Sequence, residues 1–184
     1  MLPLFKQPFH ICLCIFFIIN LNAIIHSEQI EGVINFKIDQ YIGKWYEIAR
    51  SDHFFERGLS HVTATYRLVN EKKLKVVNTG YSRKKNIIKE VTGKAYFKHN
   101  PSIGHLKVSF FGPFYSDYII FKIDENYNYA YISDKNGNLV WLLSRQPNIS
   151  KSIKSDFLET LKKMNISTKN IIWVDHTKNG VDLI

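Results

Sequence analysis

From Trp45 to Ser144 apolar and polar residues alternate in short runs. In His61-Val62-Thr63-Ala64-Thr65-Tyr66-Arg67-Leu68, the side chains of Val62, Ala64, Tyr66 and Leu68 share one face and the opposite face is polar. Val91, Gly93, Ala95 and Phe97 stand in the same way against Thr92, Lys94 and Lys98, and Leu106, Val108 and Phe110 against His105, Lys107 and Ser109. A period of two belongs to strands that lay one face on something apolar. Eight segments rich in β-branched and aromatic residues follow this rule, at residues 45–50, 62–69, 74–81, 89–97, 105–111, 117–123, 128–133 and 139–144. The connections are short, so neighbours in sequence become neighbours in space. Asn136-Gly137 is expected to place two residues at positive φ in a tight hairpin. An antiparallel meander of this length removes its edges by closing on itself, and at eight strands the interior holds one small ligand. The fold class expected is therefore all-β, an eight-stranded antiparallel up-and-down barrel.

After the last of these strands the period changes. Ile153, Phe157, Leu158, Leu161 and Met164 form one stripe of a helix, with Pro147 ahead of it and Asn148 or Ser150 placed to cap its start. Such a helix packs on the outside of the sheet. Ile171-Ile172-Trp173-Val174 reads as a short ninth strand, and residues 176–184 as a flexible tail.

The N-terminus changes the picture of compartment. An apolar run from Ile11 to Ile25 follows a segment whose only charge is Lys6, and Asn20, Asn22, His26 and Ser27 break it before Glu28. That run is too short for a comfortable membrane span and reads as a signal peptide over residues 1–27, ahead of a single domain over 28–175. An uncleaved signal anchor is the alternative. Both cysteines, Cys12 and Cys14, fall inside this leader, which leaves the domain without a thiol nucleophile, thiolate metal site or redox pair. Bacterial lipid anchoring needs a small residue directly before the modified cysteine; Ile11 and Leu13 occupy those positions, which disfavours a lipoprotein. The formal charge is +9, with Lys6 its only contributor from the leader. The lysines are spread over turns and outer strand faces rather than gathered in a block, so nucleic acid is not implied as a partner, and peripheral contact with an anionic membrane stays open.

Gly43-Lys44-Trp45-Tyr46 opens the first strand, and Arg145 ends the last long one. A tryptophan can plug the narrow end of a barrel while a guanidinium from the last strand stacks on its indole face. Trp45 and Arg145 are read as that structural signature, and Gly43 as a backbone bend at the entrance. If both point inward, alternation places Ala64, Tyr66, Ala95, Phe97, Val108, Phe110 and Trp141 inside. Small residues opposite large aromatics favour a cavity over a filled core. Glu47 shares the face of Trp45, and a carboxylate there is costly unless paired. Two roles are open for it, orienting a ligand's polar head or being satisfied within the wall. Phe54, Phe55 and Leu59 form an apolar lip at the open mouth, with a packed loop tip as the duller reading. His53, His61, His99, His105 and His176 lack metal-ligand spacing, so neither metal nor cofactor is implied. Asn148-Ile149-Ser150 and Asn165-Ile166-Ser167 are glycosylation sequons that matter only in a eukaryotic source.

These residues carry a resemblance. The chain is similar to lipocalins, above all the bacterial lipocalin and apolipoprotein D branch, from Phe36 to Val174. The blocks are Gly43-Lys44-Trp45-Tyr46-Glu47-Ile48-Ala49-Arg50, Phe55-Glu56-Arg57-Gly58, Val62-Thr63-Ala64-Thr65-Tyr66, Gly93-Lys94-Ala95-Tyr96-Phe97, the run Leu106 to Tyr115, and Trp141-Leu142-Leu143-Ser144-Arg145. It departs at the family's Thr-Asp-Tyr turn, which here is Asp124-Glu125-Asn126-Tyr127. The resemblance implies a calyx that binds a small lipophilic ligand. The function expected is that of a non-enzymatic extracytoplasmic protein, secreted, periplasmic or associated with an outer membrane. It would carry a fatty acid, lysophospholipid or similar lipid for transport, storage or membrane maintenance, as a monomer or a dimer. The alternatives are a lipocalin-fold enzyme acting on a bound lipophile, and a basic membrane-surface protein without cargo.

Overall fold

The computed structural model describes residues 29–177; the leader expected over 1–27 lies outside them. A short helix α1 (Ile38–Tyr41) leads into β1 (Gly43–Ser51), and β2 (Leu59–Asn70), β3 (Lys73–Ser82), β4 (Ile87–Phe97), β5 (His105–Ser109), β6 (Ser116–Ile123), β7 (Tyr129–Ser133) and β8 (Val140–Ser144) follow in a meander. Helix α2 (Lys151–Lys163) and strand β9 (Ile171–Trp173) complete the chain. Each of the eight strands pairs antiparallel with its sequence neighbour, and β1 closes the ring by pairing with both β2 and β8. Strand β9 adds to β1 at Ala49–Ser51, beyond the stretch Gly43–Tyr46 that β2 covers.

The barrel therefore has two apolar faces. Inside lie Trp45, Ala64, Tyr66, Leu74, Val76, Ala95, Leu106, Ile120, Ala130, Ile132 and Leu143. Outside, α2 lays Phe157 and Leu161 on Ile48, Ala49, Ile119, Tyr131, Val140 and Leu142. The helix stripe is the one its period predicts. Of the two cap candidates it is Ser150 whose Oγ accepts the Ile153 N–H at 3.3 Å. At the other end Asn165 takes φ 57°, and the Ile166 and Asn165 amides donate to Leu161 and Lys162, a Schellman closure that tucks Ile166 against the outer core.

The β7–β8 connection differs from the expected hairpin. Only Gly137 has positive φ, at 73°, while the Gly137 amide bonds back to Asp134 and the Asp134 amide bonds forward to Leu139. Four residues between those bonds make room for an ordinary turn followed by one left-handed glycine, so Asn136 need not leave its common region. Leu68 shares the inward parity of Tyr66, but β2 runs past the closed end there and the side chain is partly exposed.

Of the flexible tail expected over 176–184, residues 178–184 lie outside the described residues; His176 Nε2 lies 2.8 Å from the Glu47 carbonyl oxygen, and His61 Nε2 lies 2.8 Å from that of Thr177.

Candidate functional site

The closed end is built around Trp45, which is 0% exposed. Its indole N–H donates to the Tyr41 carbonyl at 2.7 Å, and the Arg145 guanidinium lies 3.8 Å from the centre of its ring. The same guanidinium donates to the carbonyls of Gln40, Tyr41 and Ile42 through Nη2 and of Lys44 through Nη1. It thus ties the end of α1, the start of β1 and the end of β8 together. Gly43 takes φ 95°, and a Cβ there would stand 3.4 Å from Arg145 Nη1. The positive φ of the bend calls for glycine, and the Arg145 contact is an ordinary one.

Above the tryptophan three tyrosine hydroxyls join. Tyr66 donates to Tyr118 at 2.7 Å, and Tyr118 and Tyr41 share a further bond of 2.8 Å. Burial pushes all three phenols well above their ordinary range, so they stay protonated.

Between this base and the open end lies a cavity of about 520 Å³. Six of the eight sequence-predicted ligand positions line it: Glu47, Ala64, Tyr66, Val108, Phe110 and Trp141. Ala95 and Phe97 do not. They face inward but pack with Leu74 and Leu106 at the closed end, because β4 reaches that end before its alternation stops. At the mouth Phe55 and Leu59 line the opening, whereas Phe54 is exposed and is not part of the lining. Sequence reasoning missed Val76, Asn78, Val91 and Tyr118, which alternation could have supplied.

It also missed a charged cluster that alternation could not supply. The pairing of β1 with β8 slips between Glu47 and Ala49, so one extra residue reverses the parity and turns Arg50 inward beside Glu47. Glu47 is 4% and Arg50 1% exposed, and Arg50 Nη1 donates to Glu47 Oε1 at 2.6 Å. Of the two roles open for Glu47, the geometry is that of a carboxylate satisfied within the wall. Arg50 Nη2 also donates to the Glu56 carbonyl at 2.7 Å, holding the β1–β2 loop down. The Glu56 carboxylate lies 4.0 Å from Arg50 Nε and 2.9 Å from His53 Nε2. Burial, and then the Glu56 charge, push the Glu47 carboxyl up against the opposing pull of Arg50. Burial also acts to raise Glu56, but His53 and Arg50 outweigh it and hold that carboxyl low.

The lining combines an apolar shaft with a few polar groups, the usual composition of a small-molecule site, and its volume falls within the ~300–1,000 Å³ such sites span. No described helix is long and apolar enough to cross a membrane.

Comparisons agree with this architecture. Residues 36–176 match the lipocalin-like domain family. The outer membrane lipoprotein Blc of Vibrio cholerae is 49% identical over 148 residues, which is 80% of this chain and 86% of that protein. The protein of the same name from Escherichia coli K12 is 43% identical over 142 residues, 77% of this chain and 80% of that one. Among solved structures, insecticyanin from the tobacco hornworm Manduca sexta superposes with a TM-score of 0.66 at 18% identity, covering 82% of this chain and 86% of that one. With an eight-stranded calyx plugged by the Trp45–Arg145 pair and a family match over most of its length, the chain belongs to the lipocalin family.

Proposed function

We propose that this lipocalin is an extracytoplasmic carrier that holds one single-chain amphipathic lipid, a fatty acid, lysophospholipid or similar molecule, in its cavity. The observation that carries this reading is the cavity of about 520 Å³, whose shaft from Val76, Val91 and Val108 down to Tyr66 and Tyr118 is lined mainly by apolar and aromatic side chains. An acyl chain laid along that shaft contributes about 0.8 kcal/mol for each CH₂ removed from water. His53 and Glu56, on the β1–β2 loop at the mouth, line the cavity, so the head of the lipid belongs there and its tail towards the tyrosines. The names of the two bacterial relatives, outer membrane lipoproteins, support a site of action outside the cytoplasm, in lipid transport, storage or membrane maintenance. The family supports binding rather than catalysis.

The test is mass spectrometry of the organic extract of the purified protein, compared with Trp141→Asp, which sets a charge in the shaft, and Val108→Phe, which fills it without charge. A stoichiometric lipid in the unmodified protein and its loss from both variants is expected. An empty protein that also fails to take up added fatty acid and lysophospholipid overturns the reading.

A further inference from the structure

All four strongly exposed phenylalanines among the described residues stand on two loops at one end of the barrel. Phe54 is 72% and Phe55 58% exposed in the β1–β2 loop, and Phe111 is 64% and Phe114 80% exposed in the β5–β6 loop. Phe54 and Phe55 lie with ring centres 3.7 Å apart, and Phe55 reaches Phe111 at 6.4 Å with the planes nearly parallel. These loops join strands that are not neighbours in the sheet, so the contact spans the opening. Phe55, Phe111 and Phe114 also line the cavity, which makes them a continuous apolar path from its interior to the outside.

Between these loops in strand order stands the β3–β4 hairpin, and its tip is basic. It reads Arg83-Lys84-Lys85-Asn86-Ile87-Ile88-Lys89, with Ile87 and Ile88 both about half exposed. Arg83 is engaged by Asp175, but Lys84, Lys85 and Lys89 have no carboxylate within salt-bridge distance among the described residues. The carboxylates nearest the mouth are engaged: Asp52 by Arg57, Glu47 and Glu56 by Arg50 and His53, and Asp117 by Lys98, Lys107 and His105. Glu90, exposed at the cavity rim, and Asp134 in the β7–β8 loop are the exceptions.

Exposed aromatic rings beside unpaired lysines are costly in water and favourable at one kind of surface, where rings enter the interfacial layer and cations meet phosphates. Resting on the carrier reading above, we propose that the open end of the barrel docks on an anionic lipid bilayer. Phe54, Phe55, Phe111 and Phe114 enter the headgroup layer, and Lys84, Lys85 and Lys89 face the lipid phosphates. The cavity then opens directly onto its source of lipid, and the acyl chain passes along the phenylalanines without crossing water.

The experiment is co-sedimentation with vesicles of phosphatidylcholine alone and of phosphatidylcholine with phosphatidylglycerol, alongside uptake of a fluorescent fatty acid from vesicle-free solution. The exported chain is compared with Phe54→Asp and with Lys84→Glu/Lys85→Glu, positions outside the cavity lining. All forms carry the same N-terminal segment, so differences between them report the mouth. Binding to the anionic vesicles that weakens with salt is expected, with a loss of about ten-fold or more in each variant and solution uptake retained. Absence of vesicle binding with uptake intact overturns the docking and leaves the carrier reading standing. Vesicle binding that both variants keep in full also overturns it, since the contact then lies elsewhere. Absence of uptake in every form removes the carrier reading, and with it the route proposed for the lipid.

Discussion

Arg145 lies 3.8 Å over the indole ring of Trp45, and its nitrogens reach the four backbone carbonyls of Gln40, Tyr41, Ile42 and Lys44. The stack and the carbonyl bonds need one planar group that serves both, which an ammonium cannot do.

Trp45→Ala should lower stability by about 3–5 kcal/mol, as for other fully buried aromatic truncations. Arg145→Lys should cost about 1 kcal/mol or more although charge is kept. Urea denaturation of both variants and the double variant measures the coupling; strictly additive losses would show that the stack contributes nothing.

Among the described residues Arg50 is the cation paired with buried Glu47, and Arg50→Met should cost about 3–5 kcal/mol near neutral pH. Adding Glu47→Gln should restore much of that. Because the Glu47 carboxyl is already raised in the folded state, its protonated form favours folding. The penalty in Arg50→Met should therefore shrink as pH falls and grow as pH rises through the folded value. Equal penalties at acid and neutral pH would show that lost packing, not the stranded carboxylate, is responsible.

Asp117 gathers Lys107, His105 and Lys98 within 3.2 Å, and these bonds outweigh the burial that would raise it, holding its carboxyl far below 3.8. Stability from this group is present above its unfolded value and lost as pH falls below it. His105 acts in the same direction, since burial lowers its value from 6.5 and protonation disfavours the fold. Melting temperature should thus decline in two stages on acidification, below pH 6.5 and again below 3.8. Asp117→Asn should shrink the lower stage without removing it, because Asp52, Glu56, Asp156 and Asp175 are also held low by their partners; an unchanged profile would place acid sensitivity elsewhere.

At Gly93 an added methyl would stand 2.7 Å from the Phe110 ring and 2.8 Å from the Ser109 carbonyl oxygen. The ring can turn but the carbonyl belongs to β5, so Gly93→Ala should cost about 1–3 kcal/mol. Because Phe110 lines the cavity, the same change should weaken fatty-acid uptake measured by fluorescence. Uptake left intact would show that the ring moves away from the shaft.

Alternation carried most of the architecture, because each strand here has one face on an apolar interior and the helix stripe has its own period. It also carried Trp45, Ala64, Tyr66, Val108, Phe110 and Trp141 to the inside. It could not tell how deep along the barrel a residue lies, and so it placed Ala95 and Phe97 on the ligand when they belong to the closed end. Nor could it find Arg50, whose parity is reversed by the slip in β1 pairing; an isolated extra residue leaves no mark in a two-residue rhythm. His53 and Glu56 sit on a loop, where the strand rule does not apply.

Helix α2 backs only part of the wall. The outer core that it covers takes its strand residues from β1, β6, β7 and β8, while among the described residues no helix covers the outer face of β3 and β4, which carries Lys73, Lys75, Thr79, Thr92 and Lys94. One half of the barrel is thus braced on both sides and the other on its inner side alone. Amide exchange should be slowest in β7 and β8 and fastest along β4. On the carrier reading proposed above, a guest too bulky for the resting space would be accommodated by outward yielding of β3 and β4, and tolerance for cargo size would be a property of the unsupported flank.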